Sequence, residues 1–326
     1  MDKKFRVVVI GAGGRASSVI YPSLASMEDV EIAAACDTDQ ERLNKVADRY
    51  GIGKRYGKDI FDYRNMISDI KPDTVFAIGQ PHIMYDVWMW CLGEGMNLFI
   101  EKPLGLTMHQ ARALTCMAEK KSCITQVAFQ RRSTPMAVKL REECLKRGNI
   151  VHAVCKFYKC NISPFLGARD HMMDDCVHSI DTLRWICGGE VVKVESYTKR
   201  VQTPDINFIS ATLYFDNQSV GILVNSWSSG KRIFAVEMHA PGIYVEAELE
   251  EKGYLYADGN LEPVVYDARE VAGSDKMFVY TGVLAKCREF IECCKNGTQP
   301  GSCFQDALKT MEVAEIILAQ SLLAGR

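Results

Sequence analysis

A strand that stops on glycine constrains this chain more than any other stretch. Val7, Val8, Val9 and Ile10 form an aliphatic, largely β-branched run of the kind that lies buried on both faces of a parallel sheet. The run ends at Gly11-Ala12-Gly13-Gly14-Arg15-Ala16, a G-x-G-x-x-G/A pattern with alanine in the last place. Glycine at 11 permits a tight turn, and glycine at 13 lets a pyrophosphate approach the backbone. Alanine at 16 lets the next helix lie close to the strand. Residues 14–26 read as that helix, with its first N–H groups and positive dipole end toward the phosphates. A Gly-rich string alone also describes an ordinary turn, so the surrounding pattern has to decide.

The next strand, Val30–Cys36, ends in Asp37, about twenty residues beyond the glycines. An acid there can accept both ribose hydroxyls of an adenosine and repels a 2′-phosphate, which favours NAD over NADP. Asp37 also precedes a helical pattern and would serve as its N-cap; the two roles are compatible.

A chain of 326 residues exceeds one simple core, so two domains are expected. We place a dinucleotide-binding Rossmann domain at 1–125 and an α+β substrate-binding and oligomerisation domain at 126–326. The net charge of −2 and the absence of a basic stripe argue against nucleic acid. No apolar run reaches membrane length, and a core strand beginning at Val7 leaves no room for a signal peptide. A cytoplasmic enzyme is the expectation. The 13 cysteines are scattered and include no C-x-x-C pair, so free thiols in a reducing compartment are expected rather than zinc ligands or disulfides.

Helical and strand patterns alternate through the first 125 residues. Helices are expected at 39–50, 60–69 (with Asp59 as a cap), 82–93 and 107–121. Strands are expected within 51–57 and at 73–78, 97–100 and 124–128. This is the sequence of a doubly wound parallel sheet. Beyond 126 the pattern shifts to helix 134–147, strand 151–160, an irregular loop at 161–173 and helix 176–187. Five strands follow, at 191–201, 208–215, 220–226, 233–239 and 243–249, then helices at 276–296 and 304–324. The second domain should hold a large, mostly antiparallel open sheet, whose free face suits a homodimer or homotetramer interface.

Ligands of doubly wound sheets sit outside the carboxyl ends of the strands, which selects Gly11–Ala16, Asp37, Ile78–His82 and Glu101–Pro103. Lys102 follows a strand end and precedes a stiffening proline. It can hydrogen-bond a substrate hydroxyl, or simply pair with Glu101 at the surface. In Asp174-Asp175-Cys176-Val177-His178-Ser179-Ile180-Asp181, Asp174 and His178 are four apart and share one helix face. A histidine beside a carboxylate can act as a general base near neutral pH. Acids at a helix N-terminus with His178 packed beneath them give the same string for dipole reasons. His171 is a lid candidate, the other histidines read as structural, and no HExxH or His-x-Glu pattern indicates a metal.

Gly11-x-Gly13-x-x-Ala16, Asp37, Glu101-Lys102-Pro103 and Asp174-x-x-x-His178-x-x-Asp181, in this order and spacing, resemble the glucose–fructose oxidoreductase/inositol dehydrogenase (Gfo/Idh/MocA) family. The likeness extends to the tail from Asp306. It implies a nicotinamide cofactor and a catalytic group of Lys102, Asp174 and His178. His178 would remove the hydroxyl proton while hydride leaves the same carbon for the nicotinamide. Lys102 would hold and polarise the oxygen, and Asp174 would orient the His–Lys pair. Gly11, Ala12, Gly13, Gly14, Arg15, Ala16, Asp37, Gln80, Pro81, Glu101 and Lys102 would line the cofactor. Tyr85 stands where the family often has histidine. Arg131 and Arg132 replace a stretch where it often has Asn and Arg; either would bind substrate oxygens or face water.

A sugar, cyclitol or glycoside suits Lys102, Asp174 and His178 with Arg131 and Arg169 nearby, and Phe165, Arg169 and Trp227 are candidates for the pocket wall, with core packing or a subunit contact as the alternative. Three readings follow: a sugar or cyclitol dehydrogenase using NAD; a glycosidase or lyase working through transient oxidation; and a non-catalytic NAD-binding regulator. Intact Lys102, Asp174 and His178 argue against the third.

Overall fold

The computed structural model describes residues 4–163 and 170–324. By internal contacts the chain forms two compact units. One comprises Met1–Ala128, Met277–Val279 and Val283–Leu308, and the other Phe129–Lys276, Tyr280–Gly282 and Lys309–Arg326.

The first unit is built on six parallel strands: β1 (Phe5–Ile10), β2 (Val30–Cys36), β3 (Arg55–Tyr56), β4 (Thr74–Ala77), β5 (Leu98–Ile100) and β6 (Thr125–Val127). Their order across the sheet is β3-β2-β1-β4-β5-β6, with the change of direction between β1 and β4. Val7, Val8 and Val9 are wholly buried, as a strand covered on both faces requires. The crossovers are α1 (Tyr21–Ala25) with a π-helical stretch Ala16–Ile20 before it, α2 (Gln40–Tyr50), α3 (Asp62–Ile70), α4 (Pro81–Gly93) and α5 (Met108–Lys120). Asp39, not Asp37, caps α2 by accepting the Arg42 N–H. Asp59 accepts the N–H of Phe61, one residue ahead of α3, rather than capping the helix itself.

In the second unit, α6 (Pro135–Leu145) precedes β7 (His152–Cys160), and α7 (Val177–Cys187) follows a π-helical stretch Met172–Cys176. Then come β8 (Val191–Lys199), β9 (Phe208–Phe215), β10 (Val220–Ser226), β11 (Ser228–Ala240), β12 (Ile243–Glu248), β13 (Lys252–Ala257) and β14 (Val264–Asp267). The sheet order is β14-β13-β12-β11-β7-β10-β9-β8, antiparallel except for β7 beside β10. Burial alternates residue by residue along β9, β10 and β12. A Cβ on Gly221 would touch Leu183 of α7, and one on Gly253 would crowd Met136 and Leu140 of α6, so these helices cover one face.

Strands β13 and β14 are additions to the expected sheet: β13 pairs antiparallel with β12, and β14 with β13. After α8 (Ala268–Ala272), the helix expected over 276–296 is two pieces, α9 (Met277–Tyr280) and α10 (Val283–Asn296). Gly282 lies between them at φ +83°, where a Cβ would come within 2.5 Å of the Ser133 and Thr134 backbone. α10 belongs with the first unit because Phe290 packs edge-on against Phe76 and Phe99. The final helix, α11, is Phe304–Ala324. No helix among the described residues is long and apolar enough to cross a membrane.

Candidate functional site

In the first unit, the order β2-β1-β4-β5 brings four loops to one carboxyl edge. They follow Ile10, Cys36, Ala77 and Ile100 and carry the glycine turn, Asp37, Gln80-Pro81 and Glu101-Lys102-Pro103. Backbone bonds lace them together: Gly11 N–H donates to Cys36 at 2.7 Å and Ile78 N–H to Ile10 at 2.8 Å.

Gly11 sits at φ +103°, and a Cβ there would be 2.0 Å from the Ile78 carbonyl oxygen, so only glycine fits. Gly13 and Gly14 differ: a Cβ on either would meet no protein atom within 4 Å. Their bareness serves nothing in the protein's own packing and leaves the space a pyrophosphate needs at the start of a helix. Ala16 is buried, consistent with close helix–strand packing.

Asp37 braces the turn. Its Oδ2 accepts the Ala12 N–H at 2.6 Å and its Oδ1 the Asp39 N–H at 2.8 Å. Glu101 is buried and pairs with Arg15 across the turn, Nε to Oε1, at 3.0 Å. Two residues expected along the cofactor thus hold each other. Gln80 is exposed at the start of α4, Pro81 is buried in its first turn, and Lys102 is half-buried ahead of a cis peptide to Pro103. Tyr85 is half-buried on α4, and its hydroxyl is pushed above its ordinary range by burial and by Asp86.

In the second unit, Asp174 lies within the π-helical stretch and His178 in the first turn of α7. Asp174 is half-buried, and its N–H donates to the Asp170 carbonyl at 2.8 Å. His178 is buried, edge-on to Phe129 with centroids 6.1 Å apart. Next to it on α7, Ser179 donates to the buried Asn225 side chain at 3.0 Å.

The arginines take structural partners. Arg132 makes a two-pronged pair with Asp181, Nε–Oδ2 at 2.7 Å and Nη2–Oδ1 at 2.5 Å, with Asp181 buried and the Arg132 side chain 9% exposed. Facing water is thereby excluded for Arg132. Arg131 is buried, pairs with Glu250 and lies over the Phe234 ring at 4.3 Å. Arg169 and Phe165 lie outside the described residues. Trp227 is buried, stacks on His171 and donates its indole N–H to Asp175 at 3.0 Å. Its burial matches the core-packing alternative. Burial holds His171 below the ordinary histidine pKa.

Sequence reading passed over Asp175 and Lys159. Lys159 Nζ lies 2.5 Å from Asp175 Oδ2, and Asp175 is buried. An acid on the apolar side of a helical stretch was the available signal. All 13 cysteines are free, and burial pushes Cys155 and Cys287 up to about 12, where a thiol is inert.

Residues 5–129 match the profile of the oxidoreductase family with an NAD-binding Rossmann fold, and residues 162–240 that of the GFO/IDH/MocA C-terminal domain. Myo-inositol 2-dehydrogenase of Thermotoga maritima is 22% identical over 92% of this chain and 91% of its own. A dehydrogenase structure from Chromobacterium violaceum superposes with a TM-score of 0.88 at 20% identity, covering 99% of this chain and 97% of that one. An Agrobacterium radiobacter oxidoreductase in complex with NAD+, L-tartaric acid and magnesium gives 0.83 at 20% identity over 99% and 97%. The profiles cover both the cofactor turn and the segment bearing Asp174 and His178, and the chain belongs to the Gfo/Idh/MocA oxidoreductase family.

Proposed function

We propose that this enzyme transfers a hydride between a secondary hydroxyl of a sugar, cyclitol or glycoside and NAD. The observation that carries the cofactor is the turn at Gly11–Ala16, unfilled at Gly13 and Gly14 and braced by Asp37 at the carboxyl edge of the sheet. Gly11 to Ala16, Asp37, Gln80, Pro81, Glu101 and Lys102 would hold the dinucleotide. A carboxylate at 37 disfavours a 2′-phosphate, which supports NAD over NADP. The relatives named inositol dehydrogenases support a polyhydroxylated substrate class.

The bound nicotinamide supplies a hydride acceptor. The chain's own residues manage the proton and the oxygen. His178 takes the hydroxyl proton as the carbon loses its hydride, so a carbonyl forms and charge balances. Lys102 donates a hydrogen bond to the same oxygen and stabilises the negative charge that develops there. Asp174, four residues before His178, would orient the His178–Lys102 pair. Arg169 is the proposed substrate contact from the second unit; Arg131, expected in that role, is instead buried against Glu250 and the Phe234 ring. These assignments rest on the family resemblance and on the residue chemistry.

An absorbance assay at the NADH band, run over polyols, cyclitols, aldoses and glycosides, tests the reading. Net NADH formation with one class is the expected result. Aglycone release without net NADH would replace it with transient oxidation, and tight NAD binding with neither activity across the panel would favour a regulator.

We infer also that the sheet face opposite α6 and α7 meets a second copy of the chain. That face carries half-buried Val154, Ile222 and Val224 at its centre. Light scattering should return a multiple of the 36.5 kDa chain mass, and Ile222→Lys should lower it. A monomeric parent protein would overturn this.

A further inference from the structure

The turn ahead of His178 is held by residues that the proposed chemistry does not use. Met172–Cys176 winds with π geometry, which is rare because the same residues ordinarily have a tighter α-helix available. A locally unfavourable conformation persists where its surroundings over-determine it. Here the surroundings converge on Trp227. His171, just before the turn, stacks on the indole at 4.3 Å between centroids with planes 20° apart. Asp175, inside the turn, accepts the indole N–H at 3.0 Å. One side chain grips the turn by its ring face and by its donor.

The indole is itself fixed. Trp227 donates its backbone N–H to the Asn207 carbonyl at 2.9 Å and accepts from the Asn161 N–H at 2.7 Å. Lys159 reaches Asp175 from β7 at 2.5 Å. A carboxylate only 5% exposed is costly unless paired, and an apolar residue could fill that space without the cost. The pair therefore does more than fill space.

We infer that Asp175, with Lys159 and Trp227, is a positioning residue that fixes the wide turn carrying Asp174 and keeps its own charge cancelled toward His178. The inference rests on the assignment of His178 as proton acceptor. Among the described residues, Asp170 and His171 stand just before the turn, and the charged groups on the elements about the start of α7 are these. Asp174, Asp175, Asp181 and Arg184 belong to the turn and helix, Lys156 and Lys159 to β7, and Arg131 and Arg132 to the 130–133 turn; β10 brings none. Arg132 is taken by Asp181, Arg131 by Glu250 and Lys156 by Glu237. Among the described residues, Lys159 is a cation paired directly with Asp175.

Histidine-labelled whole protein, followed by two-dimensional NMR through a pH titration, gives a direct reading. The signal lost in His178→Ala identifies His178. Lys159→Gln leaves the Asp175 charge bare and should raise the His178 midpoint. Asp175→Asn leaves the Lys159 charge bare and should lower it. Each shift should be on the order of half to one pH unit, and the double variant should return toward the parent. Trp227→Phe keeps a ring but removes the donor, and should move the His178 resonance. Unchanged midpoints in both single variants, with only a lower Tm, would make the pair plain structural support and overturn the inference. If Asp175→Asn does not fold, the sign of the shift in Lys159→Gln decides alone. Turnover of His178→Ala tests the function separately: unimpaired turnover alongside the expected shifts would remove the base assignment while upholding the pair's control of His178.

Discussion

At the scale of single residues, the two ends of the proposed chemistry should respond to mutation in separable ways. His178→Ala should lower kcat by about 10²–10⁴-fold, the usual contribution of a positioned base, and leave the Kd for NAD nearly unchanged. Steady-state kinetics with NAD titration checks both halves, and undiminished kcat would remove His178 from the mechanism. Asp37→Ala should weaken NAD roughly tenfold, on the order of one charged hydrogen bond. Because Asp37 also holds the Ala12 N–H, a lower Tm with unchanged NAD affinity would make it a brace alone. Gly11→Ala forces a Cβ to 2.0 Å from a backbone oxygen and should cost both folding and NAD binding, read by thermal melting and calorimetry. Glycine requirements of this kind are legible in sequence because they depend on local backbone geometry. The role of Trp227 was not, because its partners His171 and Asp175 lie more than fifty residues away in the chain.

At the scale of elements, α7 depends on a buried charge pair. The Arg132 and Asp181 side chains are 9% and 1% exposed, so removing one partner strands the other in a poorly solvating interior. Arg132→Met should cost about 3–5 kcal/mol in urea unfolding, and Arg132→Met with Asp181→Leu should recover much of it. Equal losses in the single and double variants would show that packing rather than charge is what matters there. Helix periodicity located α7 without revealing this pair. A lone Asp181 four residues after Val177 reads equally as an acid of the first turns or a buried partner. The expected helix over 276–296 was misjudged for a related reason: its apolar spacing continues across Gly282, but the chain must turn there to clear the Ser133–Thr134 backbone.

At the scale of the whole molecule, two histidines set how stability responds to pH. Burial holds His171 and His239 below the ordinary value near 6.5, with His152 adding to the effect on His239. As pH falls below 6.5 the unfolded chain takes up protons that the folded chain resists, so stability declines over that window. A second decline should come below the ordinary carboxylate value of 4.5. There, Glu289, lowered chiefly by Lys286 against its own burial, and Glu143, lowered by Lys139 and Lys146, lose their partners' support. Tm measured across pH should show both steps, and His171→Phe, which keeps a ring on Trp227, should flatten the upper one. An unaltered upper step would assign it elsewhere. By itself the sequence determined the β-α alternation, the glycine turn at the end of β1, the acid at the end of β2 and the spacing of Asp174 and His178. Each depends on backbone period or on residues a few places apart. Tertiary structure alone decided that β13 and β14 extend the sheet, that α10 packs on Phe76 and Phe99, and that Arg131 and Arg132 pair with Glu250 and Asp181. The two arginine pairs join residues 49 and 119 apart, and a pattern read along the chain carries no record of what lies across from it.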